Sequence, residues 1–334
     1  MVIGKFPFVN VDQKSIELLK KLDAYVQQNF DDLLDKFLLC FEQYCRQIAQ
    51  MQETGKKGEI GFIHLSILKT NILAKRHQIR LDAYDKNWYL DRVECSGTYD
   101  VGAFYQGLDE FADALEKSRN SSVNRVKLSD VQHCVFEESN KYLLFVAELV
   151  RVALRNVSDL AWFQAMKRDE VFMICIGGYQ DKVDILYKED SSEKDAKVVK
   201  RHLQAKHQPA YSHEICRSLD LSGGDYAGIH LLFSNFAECD FSGSQLQNST
   251  ILFGNFQQAV MKDVNLENTE IFDTDFSGAL LENVSFHGAK LRQLSFAQAK
   301  LINVQFEGAL YVQDLDFDGA ELVNTLLPEV KMGR

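Results

Sequence analysis

From Leu221 onward a large apolar residue returns every fifth position: Leu221, Tyr226, Leu231, Phe236, Phe241, Leu246, Ile251, Phe256, Met261, Leu266, Ile271, Phe276, Leu281, Phe286, Leu291, Phe296, Leu301, Phe306 and Tyr311. One inserted residue after Tyr311 breaks the beat, which resumes at Phe317, Leu322 and Leu327, giving 22 units. A helix repeats every 3.6 residues and a strand every two, so neither sustains such a beat over a hundred residues. A chain that turns a corner every five residues does. Two positions before each large residue stands a mostly small or β-branched one, as at Ala259, Val264, Thr269, Thr274 and Ala279, while the first units depart with Leu219 and Ile229, as do the last ones after the insertion.

A longer period lies over the short one. Phe236, Phe256, Phe276 and Phe296 are spaced by twenty, and Phe317 continues the column across the insertion. Four units then complete one square coil. Coils separated by the usual strand spacing of about 4.8 Å would stack these rings as a structural core. Gly223, Gly228, Gly243, Gly278, Gly288, Gly308 and Gly319 all fall two residues after a large residue, where a corner needs positive φ.

Cys239-Asp-Phe-Ser-Gly, Thr274-Asp-Phe-Ser-Gly, Ala289-Lys-Leu, Ala299-Lys-Leu and Ala320-Glu-Leu carry the pattern A-[DN]-L-x-x. In these units residues 217–328 resemble the pentapeptide-repeat family. The resemblance implies a right-handed quadrilateral β-helix of about 5.5 coils, roughly 26 Å tall from the strand spacing. It also implies that function falls to the outward positions. Some members of that family act as DNA mimics that bind gyrase or related topoisomerases.

Residues 1–210 are organised differently and resemble no family we can name. Apolar residues from Leu19 to Met51 trace one face of a single long helix running from Asp12, its cap, to about Thr54. Ile60–Leu68 reads as a buried strand, and Gln78–Tyr84 as a strand turning through Asp85-Lys-Asn87 into Trp88–Leu90 as a hairpin. A second helix covers Val101–Ser118. A third runs from near Asp130 to Phe163, kinked near Asn156, and Gly177-Gly178 joins a second hairpin. Charged residues 188–207 read as an exposed linker helix ending at Pro209. The expected organisation is an α+β domain over 1–190, a junction over 191–212, and the β-helix over 213–330.

The net charge of -11 is concentrated. Residues 211–334 hold 17 Asp and Glu against 7 Lys and Arg, while residues 1–210 are close to neutral. So acidic a rod does not suit phosphate binding, and no direct nucleic-acid partner is expected. In the four-unit register Asp220, Asp240, Asp263, Glu282 and Glu321 share one face, and Glu238, Asp275, Asp316 and Asp318 the next. The face of Lys290 and Arg292 is less acidic. These carboxylates form the candidate binding surface, complementary to a basic groove on a protein partner.

Other chemistry is thin. His202, His207 and His213 lack metal-site spacing, adjacent His133 and Cys134 point apart on a helix, and Gly177-Gly178 has no phosphate-loop lysine. Seven cysteines, an odd number without C-x-x-C, read as buried free thiols in a reducing cytoplasm. Neither a signal peptide nor a membrane span is expected. The expectation is a non-enzymatic protein-interaction or scaffold protein without cofactors, its N-terminal helices the surface for any self-association. The alternative is a DNA-mimic inhibitor of gyrase or a related topoisomerase, weakened by a short rod and by a tail, Leu327 to Arg334, too short for the helix through which such mimics pair. Phe276→Asp should unfold the rod, and Asp273→Ala should be nearly silent.

Overall fold

The computed structural model describes residues 6, 9–121, 126–208 and 211–328. The tail beyond Pro328 and the proposed stop at Pro209 lie outside the described residues. The chain divides into two compact units, Met1–Ser191 and Ser192–Arg334.

The first unit opens with two helices, α1 (Val11–Gln28) and α2 (Phe30–Glu53), in place of the single long one. Asn29 separates them. Its side-chain amide donates to the Tyr25 carbonyl at 2.8 Å, its backbone leaves the helical region, and it serves as C-cap and N-cap at once. Asn10 rather than Asp12 caps α1, accepting from the Gln13 N–H at 3.1 Å.

The remaining elements are β1 (Ile60–Ile67), α3 (Lys69–Leu73), β2 (Gln78–Tyr84), β3 (Ser96–Asp100), α4 (Gly102–Ser121), α5 (Leu128–Ala153), α6 (Ala161–Gln164), β4 (Arg168–Gly178) and β5 (Val183–Asp190). The third helix thus ends ten residues earlier than its apolar periodicity suggests, and a 3₁₀ turn, Val157–Asp159, separates it from α6. The strands form one sheet in the order β3-β2-β1-β4-β5, with the β1/β4 pair parallel and the others antiparallel. The second hairpin, β4/β5, forms as expected. The first does not, because β2 pairs with β1 and β3 and Trp88–Leu90 is a 3₁₀ turn. Trp88 there covers the sheet, its ring centroid 3.8 Å from that of Phe62.

Helix α7 (Ala196–Ala205) belongs to the second unit. Leu203 is 1% exposed within the rod core, so α7 packs against the rod through that side chain while most of the segment stays exposed as expected, and residues 188–190 belong to β5. Solenoids need a cap because an end coil has only one neighbour. Parallel strands then stack in two sheets. One contains β6 (Tyr211–Ser212), β7 (His230–Leu232), β8 (Thr250–Leu252), β10 (Glu270–Asp275), β12 (Lys290–Ser295) and β14 (Tyr311–Asp316). The other contains β9 (Val260–Lys262), β11 (Leu280–Glu282), β13 (Lys300–Ile302) and β15 (Glu321–Val323).

Residues twenty apart pair, as in Ile251↔Ile271 and Ile271↔Leu291, and pairs that cross the insertion are twenty-one apart, as in Leu291↔Val312 and Leu301↔Leu322. Each coil bonds to the next along its backbone, for example Phe256 N–H to the Asp275 carbonyl at 2.7 Å. The phenylalanine column stands as the period predicts: Phe236, Phe256, Phe276, Phe296 and Phe317 stack at centroid spacings of 5.5, 5.3, 5.3 and 5.2 Å.

The insertion sits elsewhere than expected. Leu291 pairs with Val312, which is 7% exposed, whereas Tyr311 is 45% exposed, so the extra residue lies between Phe306 and Val312. Valine fills the interior without a hydroxyl to satisfy, while Tyr311 keeps its hydroxyl outside on Gln313.

Candidate functional site

The outer surface of the rod is organised by its corners. Among the described residues every corner, two residues after a large residue, has positive φ, and beyond the seven glycines these positions are filled by residues such as Ser218, Glu238, Asn248, Asp263, Asn283 and Gln298. Amide side chains use the geometry. Asn324 donates to Asn303 (3.2 Å), Asn303 to Asn283 (2.9 Å), and Asn283 to the Asp263 carboxylate (2.8 Å), forming a ladder along one edge.

The nine predicted acidic residues fall on the two faces that the twenty-residue register assigns them, and the fold itself occupies nearly all of them. Asp220, Asp240, Asp275 and Asp316 stand just before a large residue and accept from the N–H two positions on, at 3.0, 2.8, 2.8 and 2.9 Å. Asn235, Asn255 and Asn265 do the same at equivalent positions, so the site selects for an Asx turn before it selects for charge. The Ser222 hydroxyl and N–H hold the Asp220 carboxyl below the usual range.

Ion pairs take up others. Glu238 accepts from the Ser218 hydroxyl (2.8 Å) and Arg217 (3.3 Å), which lower its pKa in that order. Lys262 lies 3.5 Å from Glu282, and Lys300 2.8 Å from Glu321. Glu238 also borders a shallow trough of about 510 Å³ whose floor is Ala237, Ser277 and Ala297.

The third face carries a feature that the charge pattern conceals. At three successive corners the positive-φ residue is aromatic: His213 (φ 57°), Phe233 (φ 51°) and Phe253 (φ 56°). Left-handed backbone costs an ordinary side chain on the order of 1–2 kcal/mol, and bulky residues rarely adopt it. The rings stack face to face, His213 on Phe233 at 5.1 Å and Phe233 on Phe253 at 4.7 Å with planes 3° apart. Beside them Leu232, Leu252 and Phe272 form a second outward column in backbone register, ending under the Arg292 guanidinium, 5.1 Å from the Phe272 ring. The sequence carries a signal for this strip, aromatics twenty apart at an outward corner position, which a choice of surface by charge passes over.

The first unit has a buried polar group of its own. His64 and Ser66 are 0% exposed, and neither His64 Nε2 nor Ser66 Oγ has a hydrogen-bond partner. His64 Nδ1 lies 3.0 Å from the Tyr89 hydroxyl, which also accepts from the Gln180 N–H. Burial lowers the His64 pKa to about 4. Cross-strand neighbours of His64 are Asp82, bound to Arg80 at 2.8 Å, and Cys175, whose thiol burial raises to about 12. Such a thiol is protonated at neutral pH and a poor nucleophile.

A groove of about 420 Å³ lies beside α5, floored by Phe136, Leu143 and Ile176 and rimmed by His133, Lys69 and Lys182. Gly177-Gly178 sits at its end for a steric reason: a Cβ on Gly177 would approach the Lys182 carbonyl oxygen to 2.3 Å. His202 contacts Glu214 at 3.4 Å and His213 contacts Ser212 at 2.7 Å. Among the described residues no group of His, Cys, Asp and Glu could hold a metal ion, and no helix is long and apolar enough to cross a membrane. All seven cysteines are free, six of them buried.

The model of the family described as Pentapeptide repeats matches in 8 copies, at residues 215–251, 255–288 and 279–309. No curated protein matches the chain. Among solved structures, a trypsin-treated variant of QnrB1, a plasmid-mediated fluoroquinolone resistance protein, is 16% identical over 33% of this chain with a TM-score of 0.23. The match spans 64% of the QnrB1 chain. Rfr23, a pentapeptide repeat protein from the cyanobacterium Cyanothece 51142, is 18% identical over 33% of this chain and 85% of its own, with a TM-score of 0.21. A pentapeptide repeat protein from the Arabidopsis thaliana thylakoid lumen is 22% identical over 28% of this chain and 68% of its own, with a TM-score of 0.19. Coils of four five-residue units, stacked side chains inside and eight matched repeats make residues 215–309 a pentapeptide-repeat solenoid.

Proposed function

We propose that this chain is a non-enzymatic interaction protein whose solenoid presents side chains to a protein partner. The observation that carries the reading is the rigidity of the outer lattice. Outward residues are fixed by backbone bonds between stacked coils and by a stacked interior, so a partner meets preordered groups and little entropy is lost on binding. The first unit contributes partner choice or self-association, and seven unpaired thiols suit the reducing cytoplasm in which we place the protein. The test is cross-linking of the full chain in its native lysate, alongside variants reversing charge on single rod faces. Partners that vanish with a rod variant of unchanged melting support the reading. Partners indifferent to every rod variant overturn it.

A second reading, inhibition of gyrase or a related topoisomerase by DNA mimicry through its basic groove, is favoured by the 17 acids against 7 bases in residues 211–334. Against it stands the engagement of those carboxylates in turns and ion pairs. Unchanged gyrase supercoiling at micromolar protein would dismiss it.

A further inference from the structure

We propose that the turn between Asp85 and Val93 in the first unit is an acid-opened lid. It closes over His64 and Ser66 of β1 at neutral pH, and protonation of His64 lifts it, uncovering Phe62, Trp88 and Tyr89. The device is independent of the rod and of the interaction role argued above.

Three observations show a closed turn poised to open. Trp88 stands at φ 55°, a left-handed backbone that bulky side chains rarely adopt, and such strain marks segments that switch. Trp88 Nε1, His64 Nε2 and Ser66 Oγ are all buried without a hydrogen-bond partner, so closure withdraws three polar groups from water and returns no bond to them. Leu90, the last residue of the same 3₁₀ turn, is 81% exposed, so the tip of the turn gains little from burial.

The ends of the turn are anchored while its middle is not. Lys57 Nζ donates to Asp91 at 2.6 Å and to the Val93 carbonyl at 2.5 Å, and both charged side chains are nearly wholly buried. Asp91 also accepts from the Asp85 and Val93 N–H groups at 2.8 and 2.9 Å. Between these anchors the turn rests on the sheet through rings and one hydroxyl. Trp88 meets Phe62 at 3.8 Å, Tyr89 meets Tyr84 and Tyr179 at 5.3 and 5.9 Å, and the Tyr89 hydroxyl meets His64 Nδ1 at 3.0 Å. Opening is therefore confined to Asn87–Leu90, with Asp85 and Asp91 as hinges.

The surroundings of His64 make its proton the trigger. Asp82 on β2 and Cys175 on β4 are its cross-strand neighbours, Tyr84 on β2 and Tyr179 on the β4/β5 hairpin flank Tyr89, and Lys86 and Arg92 on the turn are exposed. Both Asp82 oxygens accept from Arg80 Nε at 2.8 Å, so that carboxylate is engaged elsewhere. A protonated His64 under the closed turn is thus a buried cation whose Nε2 donor has no acceptor. Burial holds the closed ring's pKa at about 4, and a solvated ring returns to about 6.5. The closed form is favoured above pH 6.5, and acidification from pH 7 to pH 4.5 shifts the balance towards the open turn by roughly sixtyfold at most. Burial raises the Asp82 pKa as well, so Asp82 is the second group to be separated in the test.

Trp88 and Trp162 are the two tryptophans, so W162F in the full chain leaves Trp88 as the single reporter. Acrylamide quenching of its fluorescence is measured at pH 7 and pH 4.5, with circular dichroism followed alongside. The quenching constant should rise about threefold on acidification, reversibly and without loss of helical signal. H64Q in the same background should remove the rise, and D82N should keep it. Constant quenching, a rise that appears only with loss of helical signal, or an equal rise in H64Q would each overturn the lid. A rise abolished by D82N would assign the trigger to Asp82 and overturn the role of His64. Hydrogen exchange of the unaltered chain, corrected for the intrinsic effect of pH, gives a reading that needs no variant. Residues 86–90 should lose protection at pH 4.5 while β1, β2 and β4 keep theirs, and equal loss across all of them would replace a lid with general unfolding.

Discussion

The two units solve burial in opposite ways. The rod uses one solution twenty-odd times, so each interior side chain meets a copy of itself one coil away and each backbone group finds its partner about twenty residues along the chain. The first unit uses each solution once. Its central strands β1 and β4 pair in parallel across more than a hundred residues of intervening chain, and its buried polar groups are individual arrangements such as His64 with Tyr89. Repetition makes a defect in the rod additive and local in origin, felt through nearest neighbours. The unique core makes polar groups conditional on their surroundings, and so on pH.

Phe276→Asp tests the contrast most severely. A carboxylate between Phe256 and Phe296 has no partner, and the cost should exceed about 4 kcal/mol. Calorimetry should lose the rod transition and keep that of the first unit. Loss of both would show one cooperative body and break the comparison.

His64 comes next. Its folded pKa of about 4 lies below the ordinary 6.5, so the unfolded chain takes up the proton first as pH falls. The contribution is whole above pH 6.5, declines towards pH 4, and amounts to about 3 kcal/mol. Denaturant melts at pH 7 and pH 4.5 should show this loss in the first unit, and His64→Gln should flatten it. An equal pH response in the variant would place the titration elsewhere.

A smaller effect sharpens the account of the corners. Asn303→Ala removes a donor and an acceptor from the amide ladder and puts alanine at φ 53°, costing about 1–2 kcal/mol. Asp273→Ala, nearly silent on the sequence alone, meets the same backbone penalty at φ 51° and loses its contact with Arg292. Its cost should be about 1 kcal/mol, and Asp273→Asn should cost less. Smallest of all, Asp240→Asn keeps the turn to the Ser242 N–H and should shift the rod's midpoint by no more than about 0.5 kcal/mol. A larger loss would show that the charge itself supports the fold.

Legibility in the sequence follows the same division. Phe236 to Phe296 can be placed because three intervals of one spacing corroborate each other, and the acidic columns follow from the same register. Asn29 cannot be seen as a break, since the apolar stripe of α2 continues that of α1 and one residue's amide decides the matter. Trp88 reads as strand because its covering of Phe62 depends on a tertiary contact. The aromatic strip stands at outward positions of the same register, two residues after the buried Leu231 and Ile251, and reading the surface by charge passes over it.

The extra residue between Phe306 and Val312 behaves as a dislocation in a crystal. Before it, Phe286 and Phe306 stack at 5.1 Å; after it, Phe296 and Phe317 stack at 5.2 Å, and the lattice has healed within one side of a single coil. The exposed Leu310 marks where the surplus chain was expelled. The rod therefore has a seam along which length can be added while the columns above and below keep their phase. New segments, natural or grafted, can be accommodated there without retuning the surfaces that the other coils display.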